Sequence, residues 1–189
     1  MTSISVNAAA PWVLADLDAD PLEWARETVR HQAPDLPEQR VHLLADVLVP
    51  ALQAARSADD APLMLLFLIP EAGQPSVCSV SVRVEGVDAA STLESLLEGL
   101  RLPQEMLERS PLEEVIQTSS GAATHLVQRY RTPANPEFEM VQEHEAFVWL
   151  VSTVQGDLAV YLSTSYLDLA EAGRYRPHLV DLASSLTVA

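Results

Sequence analysis

Five histidines, His31, His42, His125, His144 and His178, are the first residues in this sequence that could carry acid–base or metal chemistry. None stands in a motif with ligand spacing such as H-E-x-x-H, so a metal site would need donors from distant strands. Glu143-His144-Glu145, with Glu137 and Glu139 upstream, is the densest local set. Side chains alternate along a strand, which puts Glu143 and Glu145 on one face and His144 on the other. The set is therefore expected to be a water-facing acidic strand and not a metal site. His125 and His144 become cross-strand neighbours only if their strands pair in a suitable register, which the sequence leaves open.

Arg129 and Arg131 share a face of a predicted strand, and two guanidinium groups there could grip a carboxylate or phosphate. The simpler expectation is cross-strand pairing with Glu137, Glu139, Glu143 or Glu145 on an exposed face. Nucleophile chemistry has no local support: Gly-x-Ser-x-Gly is absent, and Ser119-Ser120-Gly121 is an ordinary turn. Gly-x-Gly-x-x-Gly is absent as well, which removes the usual dinucleotide and phosphate cradles. The one cysteine, Cys78, excludes an intrachain disulfide and a cysteine-based zinc cluster. No catalytic, cofactor-binding or metal-ligating residue is assigned.

The composition bounds the partners. All 11 basic residues are arginines, against 27 Asp and Glu, for a formal net charge of -16. Such a charge repels phosphate backbones and anionic lipid, so nucleic acid and membrane surfaces are not expected partners. Without lysine there is no Schiff base and no P-loop lysine. A lysine-free, Ala- and Leu-rich chain is the kind that high-GC bacterial genomes encode. The first residues, Met1 to Ala8, lack the basic and apolar regions of a signal peptide, and the longest apolar run, Leu63 to Ile69, is far below the roughly 20 residues needed to span a bilayer. A cytoplasmic location is expected.

The elements that must position these residues follow from periodicity. Residues 1–189 read as a single domain. Trp12 to Leu17 is a short first strand. Asp20-Pro21 opens a helix to about Gln32, and Asp35-Leu36-Pro37-Glu38 opens a longer one to about Ser57. Val41, Leu44, Leu48, Leu52 and Ala55 form its apolar stripe, and Pro50 predicts a kink or break near Asp46 to Val49. Leu63 to Ile69 is a buried strand, followed by a loop over Glu71 to Pro75. Cys78, Val80, Val82 and Val84 alternate with polar residues, so Cys78 faces inward and packs as a small apolar group. Ser91-Thr92 starts a helix carrying Leu93, Leu96, Leu97 and Leu100, and a second short helix covers Pro103 to Glu108. Glu113–Thr118 and Ala123–Thr132 form a hairpin. The final unit, Pro136 to Leu186, is strand, turn, strand and helix, with Tyr175, Leu179, Leu182, Ala183 and Leu186 at helical spacing. Phe147 and Trp149 share a strand face with Val151, and Tyr161 and Tyr166 follow on the next strand. Core packing is the expectation for these aromatics, and an exposed protein-binding patch is the alternative.

Phe147-Val148-Trp149-Leu150-Val151-Ser152-Thr153, the strand Leu158 to Ser165 and the helix from Tyr175 to Leu186 together resemble the closing unit of PsbP-like α/β/α sandwich proteins. That group includes actinobacterial lipoproteins and bacterial secretion chaperones. The resemblance covers about a quarter of the chain and includes no catalytic motif. It implies action through protein contacts. The pattern at Met1 to Ala8 and the single Cys78 lead to the expectation of a departure from the lipoproteins, without their signal peptide and lipobox cysteine. The expected fold is α+β: one antiparallel sheet of about six strands packed by helices. The expected function is a non-enzymatic protein-interaction module without cofactor, an adaptor or a secretion or assembly chaperone with an unidentified protein partner. A small-ligand-binding or hydrolytic domain, its site assembled only in three dimensions, is the alternative, and homodimerisation through the sheet face is a third reading.

Overall fold

The computed structural model describes residues 3–6, 12–58, 62–68, 77–135, 138–166 and 169–188. In chain order the elements are β1 (Ile4–Val6), β2 (Trp12–Leu14), α1 (Pro21–Gln32), α2 (Glu38–Ser57), β3 (Met64–Leu68), β4 (Cys78–Val87), α3 (Leu93–Leu100), a 3-10 turn (Gln104–Met106), β5 (Leu112–Thr118), β6 (Gly121–Asn135), β7 (Phe138–Thr153), β8 (Gly156–Tyr166), α4 (Leu169–Ser185) and β9 (Leu186–Val188). The fold is α+β. Seven strands, in the order β2-β3-β4-β8-β7-β6-β5, make an antiparallel sheet, and β1 pairs with β9 in a separate ribbon. The expected loop Glu71 to Pro75, and Pro136 and Glu137, lie outside the described residues.

The chain divides into two compact units, Ala8–Ser81 and Met1–Asn7 with Val82–Ala189. In the Ala8–Ser81 unit, Asp20 Oδ1 accepts from the amides of Leu22 (3.0 Å) and Glu23 (2.9 Å), with Pro21 at the first helical position, so α1 starts where its signal predicts. Asp35 is not the cap of α2: Pro37 precedes the helix, without a side-chain cap bond. Nor does Pro50 break α2, which is continuous from Glu38 to Ser57. Pro50 and Asp46 are exposed, so the Asp46 carbonyl that loses its helical donor opens to water instead of being buried unpaired. The core of this unit joins Ala25 and Val29 of α1 to Val41, Leu44, Leu48 and Leu52 of α2 and to Leu65 and Phe67 of β3. Cys78 is buried, as its alternation predicts.

In the other unit, three antiparallel pairings, β5 with β6, β6 with β7 and β7 with β8, place the functional candidates. Gly121 (φ 101°) and Gly156 (φ 127°) occupy left-handed positions in the two tight turns, where a side chain would be strained. Thr92 caps α3 reciprocally with Ser95. The short helix expected over Pro103 to Glu108 is a single 3-10 turn. The α4 helix buries Tyr175, Leu179, Leu182 and Ala183, so the strand–turn–strand–helix reading of the tail is met. Ser119 and Ser120 do more than turn the chain. Ser119 Oγ donates to the Ser184 carbonyl (2.9 Å) and Ser120 Oγ to the Leu186 carbonyl (2.8 Å), which anchors the end of α4 and the start of β9.

Candidate functional site: a buried charge network

Antiparallel pairing puts directly opposed residues on the same face of a sheet. Register sets Glu114 against His125, His125 against Phe147, Arg129 against Glu143, Glu143 against Tyr166 and Glu145 against Thr164. Glu114, His125, Arg129, Glu143, Glu145 and Phe147 thus lie on one face of β5 to β8. Arg176 of α4 reaches this face. Glu143 and Glu145 are 0% exposed, and His125 is 1%.

Each buried charge is answered. Glu143 Oε2 accepts from Arg129 Nη2 (3.0 Å) and Nε (3.2 Å), and its Oε1 accepts from Arg176 Nη2. Glu145 Oε1 accepts from Arg176 Nε at 3.0 Å and lies 2.7 Å from His125 Nε2. The other ring nitrogen, Nδ1, is 2.9 Å from Glu114 Oε1. Both ring nitrogens of His125 thus face a carboxylate, one at the sheet edge and one in the interior. Phe147 stacks flat on the imidazole, with centroids 4.2 Å apart and planes within 3°. Arg109 Nη2 stands 3.9 Å from Glu143, and Glu108 3.8 Å from Arg129 Nε, at the outer edge of the network. Burial disfavours the Arg176 charge, but Glu145 and Glu143 more than offset this, so its pKa is raised.

Most of this differs from the sequence expectation. Glu143 and Glu145 are not on a water-facing strand; they sit at the centre of the network because α4 covers their face and supplies a guanidinium. The expected Arg129–Glu143 pair forms, but in the interior and not on an exposed face. Arg131 stands opposite Val141 in the register. His125 and His144 do not meet. His144 lies opposite Gln128 and Ser165, on the other face of β7, where burial pushes its imidazole below the usual range and Glu145 only partly opposes the shift. His31, His42 and His178 are exposed. Phe147 and Trp149 are fully buried and Tyr166 is buried, with Trp149 Nε1 donating to Thr118 Oγ1 (2.9 Å), so these three are core, whereas Tyr161 is half-buried and its hydroxyl donates to Glu85. The signal that could have placed Glu143 and Glu145 inside is their phase: they precede Phe147, Trp149 and Val151 on the same face of one strand.

No protein-family model matches the chain, and no curated protein does. Among solved structures, LpqN, involved in cell envelope biogenesis of Mycobacterium tuberculosis, superimposes with a TM-score of 0.57 over 100% of this chain and 84% of its own, at 12% identity. The fold resembles that of LpqN. At this identity the likeness to LpqN extends to architecture and not to side-chain chemistry.

Chemically, the network is a set of charges that satisfy one another, with one exception: Glu145 Oε2 is buried and has no hydrogen-bond partner. Among the described residues no group of three or more His, Cys, Asp or Glu side chains has the geometry to hold a metal ion. Two clefts flank the network along β5. One, of about 720 Å³, has Glu108 and Arg109 on its wall; the other, of about 350 Å³, lies between α3 and β5 and is lined by Leu93, Leu97, Val115 and Glu114. Between the clefts Arg101 holds Glu113 in a fork of two 2.9 Å bonds and also reaches Glu94 and Glu98; the Glu113 bonds, then those to Glu94 and Glu98, raise its pKa. On the same side of the sheet Gln128 ties β6 to the end of α3, donating to the Leu100 carbonyl (2.9 Å) and accepting from the Leu102 amide (2.7 Å). No helix among the described residues is long and apolar enough to cross a membrane.

Proposed function

We propose that this chain is a non-enzymatic, cytoplasmic protein-interaction module with a PsbP-like sandwich, acting as an adaptor or assembly chaperone. The observation that carries this reading is the inward direction of the network's bonding: His125, Arg129 and Arg176 are engaged by carboxylates of the same chain. Groups held in this way rigidify a scaffold and are poorly placed to turn over a substrate. Apolar side chains meanwhile face water, with Leu112 51% and Val115 66% exposed on β5. The likeness to LpqN, a protein of envelope biogenesis, supports a role in envelope-related assembly. The test is affinity capture from the native organism, followed by reconstitution of any captured protein with the purified chain and light scattering. A stoichiometric complex is the expected result; a metabolite that raises the melting temperature in the absence of any such complex overturns it.

One observation favours a second reading, a small-ligand-binding or hydrolytic domain. The Glu114–His125–Glu145 chain runs from a half-exposed carboxylate to a buried one with an unpartnered oxygen, which is an arrangement suited to moving a proton. A thermal-shift screen of the His125→Gln variant beside the parent chain separates the two readings, since only a ligand site at the network loses its hits in the variant.

A further inference from the structure

We propose that β5 is a docking edge to which a partner protein adds an extended, basic and apolar segment as an extra strand. The inference rests on the interaction reading and names where and what the module binds. Among the described residues β5 pairs on one side only, with β6, and ends the sheet order. Leu112, Glu113, Glu114 and Val115 are all exposed, so the outer backbone groups of this stretch are open to a new ladder. Open strand edges are a hazard that proteins commonly blunt with charged side chains, proline or a bulge. β5 has no proline and pairs with β6 without a bulge, and its two charges, Glu113 and Glu114, are both acidic, so they repel an acidic strand and not a basic one.

The side-chain pattern selects the occupant. Glu113 and Val115 lie on the face shared with α3, and the cleft there is lined by Leu93, Leu97 and Val115 together with Glu94, Glu113 and, from the other face of β5, Glu114. Among the described residues no basic one lines it. From Leu93 to Thr118 the chain has six glutamates and two arginines, and Arg101 is shared among Glu94, Glu98 and Glu113. A second copy would bring the same acidic edge and a further net charge of -16 against it. A strand alternating Arg with Val or Leu places its apolar side chains on the α3 face beside Val115 and its guanidiniums on the opposite face beside Glu114.

The test uses the full chain and three labelled synthetic peptides: alternating Arg and Val, the same with Glu in place of Arg, and the Arg–Val sequence interrupted by a central proline. The Arg–Val peptide is expected to bind saturably, to weaken with added salt, and to slow amide exchange at alternate residues of Glu113–Gln117. Binding is expected to fall about tenfold or more with the proline peptide and with the Val115→Arg variant, whose circular dichroism reports that it is folded. Equal binding of the proline peptide, undiminished binding to Val115→Arg, absence of exchange protection in β5, or self-association of the free chain that Val115→Arg abolishes each overturns the proposal. A reconstituted partner that binds parent and Val115→Arg alike removes β5 as the edge and leaves the interaction reading standing; failure to find any partner removes both.

Discussion

Glu143 shows how burial turns a common surface residue into a structural one. Its carboxylate is held by Arg129 and Arg176 at zero exposure, and removing one member of such a set strands the others without compensation. Glu143→Leu is therefore expected to destabilise the fold by about 3–5 kcal/mol in urea titration, whereas replacing Glu143 and Glu145 by Leu together with Arg129 and Arg176 by Met regains most of that loss. Equal losses in the single and fourfold variants would show that the charges themselves, and not their mutual satisfaction, are what the fold needs. His144 provides a pH test. Its folded pKa lies below the ordinary 6.5 because burial disfavours the imidazolium. As pH falls through about 6.5 the unfolded chain takes up a proton that the folded chain refuses, so stability drops, and the penalty is complete once pH is below the lowered folded value. His144→Gln is expected to flatten this part of the stability–pH curve, with no effect above it. These residues were only half legible in the sequence: alternation put Glu143 and Glu145 on the opposite face from His144 and offered Arg129 as a partner, but an acidic strand looks wet until α4 is known to lie on it.

At the scale of elements, local chemistry marked the starts of helices well. Asp20-Pro21 and Thr92 carry their caps in their own side chains, so α1 and α3 begin where they are expected. The β5 to β8 hairpins were legible for the same reason, since Gly121 and Gly156 are needed by the turns themselves. The β1–β9 ribbon was not, because its three-residue strands pair Ile4 with Val188 and no short-range signal links the two ends. A kink or a break near Asp46 to Val49 was expected because proline removes a donor and crowds the preceding turn, and of the two the break does not occur. Since Pro50 lies on the exposed side of an intact α2, the cost of its missing donor is present but tolerated. Pro50→Ala is expected to restore the bond to Asp46 and to stabilise the chain by about 1–3 kcal/mol in thermal or urea melts, within the helix-interior penalty of proline. A neutral or destabilising result would mean that α2 is shaped around the proline.

For the whole molecule the governing quantity is the imbalance of 27 acidic against 11 basic residues. Four of the carboxylates, Glu108, Glu114, Glu143 and Glu145, are matched by Arg109, Arg129, Arg176 and His125 within the network, which leaves the excess of acids outside it. The two populations respond to salt in opposite degrees. Exposed like charges repel over distances set by the Debye length, about 10 Å at 0.1 M and about 3 Å at 1 M, whereas buried pairs are screened far less. Raising sodium chloride from low to near-molar levels is therefore expected to raise the melting temperature of the parent chain by screening its self-repulsion. The difference in stability between parent and Glu143→Leu is expected to stay nearly constant over the same range, because that contact is internal. A melting temperature that falls with salt would mean that surface ion pairs such as Arg101 with Glu94, Glu98 and Glu113 hold the fold more strongly than the net charge opposes it.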